Sequence, residues 1–359
     1  MFETEITRKL KIQYPIFQAP MAGGPTKPEL VAAVSNAGGL GNLGAAYLTP
    51  EQLRGAIHQT RELTDKPFGV NLFVPEQPEE SQEAVSQMID YLNKYRDKLG
   101  IVPNPAIPKF SESFEEQVQV LLEEQISVFS FTFGIPPHET IEAMKQRGTV
   151  VLGTATTVEE AKLLETAGVN AIVAQGCEAG GHRGTFLKKV SESLIGTMAL
   201  VPQIVDHVSI PVIASGGVMD GRGLVASLAL GAGAVQMGTA FLVCPESGAH
   251  EVYKQKILAA TEDSTEITSA YSGKPARGIR TAFMDDMHRY PGTIPAFPIQ
   301  NALTRDIRQA AAKANAPEYM SLWAGQGLRL VNDQSAAAIV KQTIEQAEAL
   351  VKKSFIYNS

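Results

Sequence analysis

The sequence predicts an α/β protein: a (β/α)8 TIM barrel with a smaller capping domain inserted after strand eight. Short apolar runs rich in β-branched residues recur along the chain. Each ends in Gly, Asn, Gln, Ser or Thr, and each is followed by a stretch of helical periodicity, which is the alternation of a parallel sheet. There are eight such runs, at 15–19, 39–43, 68–73, 128–132, 150–153, 171–174, 212–215 and 234–237. A doubly wound sheet would need fewer strands and a single switch-point crevice, and it stands second.

The connecting helices carry their own start and stop signals. Helical stretches are read at 27–37, 50–63, 157–167 and 221–230. Thr49-Pro50 opens one and Thr157, ahead of Glu159 and Glu160, opens another; Gly38, Gly168 and Gly231 close three of them. Two departures break the rhythm. An excursion at 75–125, with Pro103, Pro105 and Pro108 framing a loop between helical stretches, is expected to fold over the barrel mouth. From 246 to 320 the composition turns polar, with Pro291, Pro295 and Pro298 clustered, and this is read as a substrate-side cap. A final helix at about 334–353 has an apolar face through Ala338, Ile339, Ile344, Ala347 and Leu350 that should return to the barrel. The expected division is therefore barrel at 1–245 and 321–359, cap at 246–320.

Composition narrows the function classes. The chain has 359 residues, and 31 basic against 38 acidic side chains leave a net charge of -7, with no basic stripe to serve nucleic acid. Two cysteines, Cys177 and Cys244, make neither a disulfide framework nor a metal pair, which fits a reducing cytoplasm. The N-terminus is too charged for a secretory signal. The 20 uncharged residues from Leu224 to Val243 are long enough to span a bilayer, yet their glycines and Gln236 read better as a buried helix followed by a strand. No membrane association is expected.

In such a barrel the chemistry sits where the strands end. Ser215-Gly216-Gly217 and Gly238-Thr239 follow the last two runs, where glycine backbone commonly holds a phosphate, although Gly216 and Gly217 could simply turn the chain. Asn71 and Gln175 are amides at strand tips that suit the edge of a heterocycle, or cap a turn. His182, between glycines at 180–184, is the candidate proton-handling group, against the plainer reading of a surface histidine beside Arg183. Cys177 has no evident activator and reads as a small packed side chain. No histidines share ligand spacing with acidic partners, so no metal is expected.

These blocks match a known pattern. Residues 14–23 (YPIFQAPMAG), 69–71 (GVN), 174–184 (AQGCEAGGHRG), 214–217 (ASGG), 236–239 (QMGT) and 323–327 (WAGQG) together resemble the bacterial nitronate monooxygenases, formerly 2-nitropropane dioxygenases, over nearly the whole chain. The resemblance implies a barrel carrying non-covalent FMN, contacted at Asn71, Gln175, Gly180, Gly217, Gln236, Met237, Gly238 and Thr239. Met21 and Gly216 would contribute by backbone approach, and His182 matches the family's active-site histidine. It also implies oxidation of alkyl nitronates by O2 to carbonyl compounds and nitrite or nitrate, with propionate 3-nitronate one candidate and detoxification the role. A homodimer is admissible. Tyr271, Arg280, His288, Tyr290 and Arg305 are the cationic or phenolic candidates for a carboxylated substrate, while Phe297 lacks a hydroxyl that could serve one. The alternatives are a flavin-dependent enoyl-ACP reductase using NAD(P)H and a non-catalytic flavin- or phosphate-binding module.

Overall fold

The computed structural model describes residues 2–76, 81–102 and 109–355. The strands run in chain order β1 (Ile16–Gln18), β2 (Gly41–Gly44), β3 (Phe68–Phe73), β4 (Val128–Thr132), β5 (Val150–Ala155), β6 (Ala171–Gln175), β7 (Gly181–His182), β8 (Val212–Ser215) and β9 (Ala234–Met237), followed by β10 (Thr265–Thr268) and β11 (Ala276–Ile279). Eight of them form one parallel sheet in the order β1-β9-β8-β6-β5-β4-β3-β2. Phe17 pairs with Leu40 to close the ring, with Gln18 N–H on Leu40 O and Leu40 N–H on Ile16 O, both at 2.9 Å. The result is a TIM barrel. All eight predicted runs coincide with strands to within two residues at either end. The second begins later than expected, at Gly41, because Gly39 N–H still bonds Val34 O of the preceding helix.

Alternation along the strands sorts side chains into two layers. Val70, Leu72, Phe129, Phe131, Val151, Ile172, Ala174, Val212, Ala214 and Val235 join the cluster shared with the surrounding helices. The opposite register, Phe17, Leu40, Val128, Val150, Leu152, Ala171, Val173, Ile213 and Ala234, fills the barrel interior. Ile6 and Leu10 of α1 (Glu5–Leu10) join that inner cluster beside the residues that begin the strands, so α1 plugs the N-terminal end. Thr4 caps α1 and ties it to the barrel through Oγ1 on Gly233 O (2.8 Å).

The outer layer is α2 (Pro28–Asn36), α3 (Pro50–Leu63), α5 (Phe114–Glu123), α6 (His138–Gln146), α7 (Val158–Thr166), α8 (Thr197–Val205) and α9 (Gly221–Ala229), with α4 (Gln82–Lys98) placed elsewhere. Thr49 and Thr157 cap α3 and α7 through their hydroxyls, as the sequence signals require. The last helix, α14 (Ala336–Phe355), packs on α9 and α2. A Cβ on Gly221 would lie 2.4 Å from Ala347 N, so glycine sets that approach. The uncharged run divides between α9 and β9. Among the described residues no helix is long and apolar enough to cross a membrane.

Residues after β9 form α10 (Glu251–Ala259), the β10–β11 hairpin, α11 (Ala282–Met287), α12 (Ile299–Leu303) and α13 (Arg305–Lys313). Val85, Met88, Leu92 and Tyr95 of α4 share one apolar cluster with Tyr271, Phe283, Met287, Leu303 and Ile307. The excursion after β3 and the segment after β9 thus meet in a single layer. Pro103, Pro105 and Pro108 lie outside the described residues.

Candidate active site

The inward register changes character along the strands. Its lower positions are apolar; its upper positions are Asn71, Ser130, Thr132, Thr154, Gln175, Ser215 and Gln236, and all of these line one cavity of about 610 Å³ at the C-terminal end of the barrel. Met21, Gly180, His182, Gly216, Gly217, Gly238 and Thr239 line the same cavity. The sequence did not single out Ser130, Thr132 and Thr154, although period-two alternation places them in the same register as Asn71.

Contacts from several elements hold His182. The β7 strand pairs antiparallel with β11, Ala276 opposite His182 and Arg277 opposite Gly181, so the loop after β6 is stitched to the β10–β11 hairpin. Arg277 reinforces this by donating from Nε to Cys177 O (2.9 Å). Arg183, fully buried, donates to Gly176 O (2.6 Å), Gln175 O (3.1 Å) and Ser193 O (3.2 Å), drawing the loop's carbonyls around one guanidinium. Gln175 gives Nε2 to His182 O (3.0 Å) and accepts Gly184 N–H on Oε1 (2.8 Å). Its amide therefore shapes the loop while Gln175 still lines the cavity.

The segment from Trp323 to Gly327 completes the wall. Gln326 N–H bonds Glu178 O (3.0 Å), Gly325 N–H bonds Thr239 Oγ1 (2.9 Å), and Trp323 bridges to Gly278. A Cβ on Gly180 would lie 2.5 Å from both Ala324 C and Gly325 N, so only glycine allows this closure. Gly216 (φ 115°) and Gly217 (φ 71°) turn the chain out of β8 in a conformation open to glycine. The N–H groups of Gly217, Gly238 and Thr239 meet no protein acceptor among the described residues, which leaves the tips of β8 and β9 a cradle for an anion. Met237 does not share in it. Its side chain is buried in the outer cluster with the helices, so the predicted contact is limited to its backbone.

The imidazole of His182 sits among aromatic rings: Phe133 at 5.7 Å between centroids, Phe297 at 5.9 Å, Phe73 at 6.3 Å and Trp323 at 5.6 Å. Burial, with the charges of Lys274 and Arg308 nearby, pushes its pKa down to about 3. The ring is neutral at ordinary pH. Nε2 lies 2.9 Å from Ser272 Oγ, and the single Ser272 hydroxyl proton is bonded to Lys274 O (3.0 Å). With that proton on Lys274 O, the imidazole is assigned as donating from Nε2, with Nδ1 the bare nitrogen. Such a group can accept a proton or a donor but carries no charge.

Of the expected cap residues, Arg305 lines the cavity. Tyr271 is buried and bonded to Thr281; Arg280 is exposed and paired with Asp285 at 2.6 Å; His288 stands 3.8 Å from Glu266; Tyr290 packs on Tyr91. Tyr47 and Arg308, not anticipated, line the cavity beside Arg305. His250 also reaches it, while His138 opens α6 in solvent. Burial and the neighbouring Glu178 raise the Cys177 thiol, leaving no activated nucleophile there. Among the described residues no group of three or more His, Cys, Asp or Glu could hold a metal ion.

Comparison with known proteins follows the same outline. The nitronate monooxygenase family model matches residues 3–346. A probable nitronate monooxygenase of Staphylococcus haemolyticus is 47% identical over 352 residues, covering 98% of both chains, and one from Staphylococcus aureus strain JH9 is 46% identical over the same length. Among solved structures, nitroalkane oxidase from Streptomyces ansochromogenes superposes with a TM-score of 0.88 at 37% identity, covering 97% of this chain and 99% of that one. FabK from Thermotoga maritima gives 0.78 at 32%, covering 99% of each. With a whole-chain family match and a shared barrel, this chain belongs to the nitronate monooxygenase family of oxidoreductases.

Proposed function

We propose that this enzyme binds FMN in the barrel-mouth cavity and oxidises alkyl nitronates with O2, releasing nitrite or nitrate and a carbonyl compound. The observation that carries the reading is the uncharged His182, with a bare Nδ1, in the wall of a polar-floored cavity that has an anion cradle at the tips of β8 and β9. The residues fit the cofactor. The free N–H groups of Gly217, Gly238 and Thr239 suit its phosphate, and the amides and hydroxyls at Asn71, Ser130, Thr132 and Gln236 suit the polar edge of its ring. Asn71 gives Nδ2 to Ser130 Oγ (3.0 Å), which turns Oδ1 into an acceptor for a ring N–H. When bound, FMN supplies the electron transfer between nitronate and oxygen.

The chain's part is placement and proton handling. His182 Nδ1 can take the α-proton of a neutral nitroalkane, and with a preformed nitronate the same ring serves to position substrate. Phe73, Phe133 and Phe297 surround the imidazole with apolar rings, which would limit water beside it. The likeness to FabK supports a second reading, an enoyl reductase fed by NAD(P)H.

One set of measurements separates them. The purified protein should show a flavin visible spectrum and release nitrite from ethylnitronate in air without nicotinamide. Rapid anaerobic bleaching by NADH, with no nitrite, would replace the first reading by the second. Replacing His182 by Asn should abolish turnover of nitroethane more than that of ethylnitronate; equal loss on both removes the base role.

A further inference from the structure

We propose that Arg305 and Arg308, with the phenol of Tyr47, form an anion subsite that holds the charged head of the nitronate and so selects it over the neutral nitroalkane. The inference rests on the nitronate reading above and assigns three residues to it.

Both arginines line the cavity, yet neither has an acidic salt-bridge partner among the described residues. Their neighbours show how unusual this is within the molecule. Lys274, also near the cavity, is neutralised by Glu76 at 2.5 Å. Asp306, which lies between the two arginines in sequence, turns its carboxylate to Arg96 at 2.8 Å. Arg308 is fixed rather than free: Nη2 donates to Asn301 O (2.7 Å) and Asn301 Oδ1 (2.9 Å), and Nε reaches Thr304 O (3.4 Å). These bonds use neutral acceptors and leave Nη1 without one. Arg305 makes no side-chain bond to protein at all among the described residues.

A poorly solvated cation without a counter-ion is costly, and an anionic ligand removes that cost. Tyr47 adds a neutral donor. It follows β2, its ring meets Phe73 at 5.7 Å, and its hydroxyl has no protein partner among the described residues. The charges of Arg308 and Arg305 act on this phenol, and that of Arg308 also acts on His182.

The phosphate cradle lies elsewhere. It is built at the tips of β8 and β9, and β2 is three places from β8 around the ring. The anion met by Arg305 and Arg308 is thus the substrate. A nitronate spreads its negative charge over two oxygens in one plane, the geometry a guanidinium fork recognises. A nitroalkane has the same oxygens without net charge and gains much less.

The test uses the FMN-loaded enzyme and the variants Arg305→Gln, Arg308→Lys, Arg308→Gln and Tyr47→Phe. Arg305→Gln breaks no bond of the folded protein, so it reports on the subsite even if Arg308→Gln perturbs α13. The KM for ethylnitronate should rise roughly 10- to 100-fold in both glutamine variants, with Arg308→Lys between them and wild type and Tyr47→Phe changing less. The KM for nitroethane should move by less than about threefold, a split that general loosening of the site would not produce. Sodium nitrate, a planar oxyanion shaped like the nitronate head, should bind the wild-type holoenzyme in calorimetric titration and bind Arg305→Gln at least about tenfold more weakly.

Unchanged ethylnitronate KM in Arg305→Gln and Arg308→Gln, or nitrate affinity indifferent to both, overturns the subsite. If the wild type fails to oxidise ethylnitronate while nitrate binding still depends on the arginines, the nitronate reading falls and the anion subsite stands.

Discussion

His182 and Ser272 are joined side chain to side chain, Nε2 to Oγ across 2.9 Å, and the bond ties the loop after β6 to the turn between β10 and β11. Ser272 is itself fixed by donating to Lys274 O and accepting Lys274 N–H at 3.3 Å. A turn about 90 residues away in sequence thereby chooses which nitrogen of the imidazole carries the proton.

Replacing Ser272 by Ala frees that choice. Nitroethane turnover, which needs Nδ1 unprotonated and correctly aimed, should fall about 10-fold or more, in line with the loss of an orienting partner for a general base. Ethylnitronate turnover should fall less. Steady-state kcat on the two substrates checks this, and Ser272→Thr should restore most of the loss because it keeps the hydroxyl.

The depressed pKa of His182 sets a pH dependence of defined sign. In the unfolded chain the imidazole titrates near 6.5, whereas in the folded protein it stays neutral down to about 3. Between those values the unfolded state binds a proton that the native state does not. Stability therefore rises with pH there, and it is lost as the solution is acidified from about 6.5 toward 3. Thermal unfolding of wild type and His182→Asn across this window should show a steeper acid decline in the wild type. The kcat/KM profile for ethylnitronate should lack an inflection near pH 6.5; one that vanishes in His182→Asn would contradict the burial argument.

Much of this was readable from residue order, and what was not shares a cause. The eight strands are visible because β-branched runs and helix caps are local signals, and His182 stands out because glycines flank it. What a residue faces is harder to read. Met237 lies in the tip motif between Gln236 and Gly238, but strand parity turns it outward into the helix layer. Gln175 is at the cavity-lining tip, and its amide also bonds His182 O and Gly184 N–H, contacts that exist only once the loop folds back. Tyr47 and Arg308 carry no motif at all. They line one cavity although they lie far apart in sequence, a long-range event with no trace in local sequence.

Gly180 is the point where two distant segments touch. A methyl group there would lie 2.5 Å from backbone atoms of Ala324 and Gly325, which have no flexible end to swing away. Gly180→Ala should therefore push the Trp323–Gly327 segment off the loop, weakening the Gln326 N–H bond to Glu178 O and the Gly325 N–H bond to Thr239. A destabilisation of roughly 1–3 kcal/mol is expected for such overpacking. FMN content after dialysis and the Tm of the variant measure both consequences, and normal values for each would show that the two segments can separate without cost.

Glu160 offers a sharper test of how the His182 loop is held. It is fully buried, and its two oxygens accept from four donors: Thr156 N–H and Oγ1–H on Oε2, each at 2.7 Å, and Phe186 and Leu187 N–H on Oε1, at 2.7 and 3.0 Å. Glutamine has nearly the same shape but one end that donates. Either orientation of the amide sets its NH2 against two donors, and at the Phe186 end both are backbone groups that cannot reverse. Glu160→Gln should then cost about 2–4 kcal/mol, as expected for leaving buried hydrogen-bonding groups unmatched, and lower the Tm by several degrees. The strain falls on Phe186 and Leu187, a few residues beyond His182-Arg183 in the same loop. Assayed well below the new Tm, the variant should retain bound FMN while its KM for ethylnitronate rises. A variant with wild-type Tm would mean that the loop is held by Arg183 and Gln175 alone.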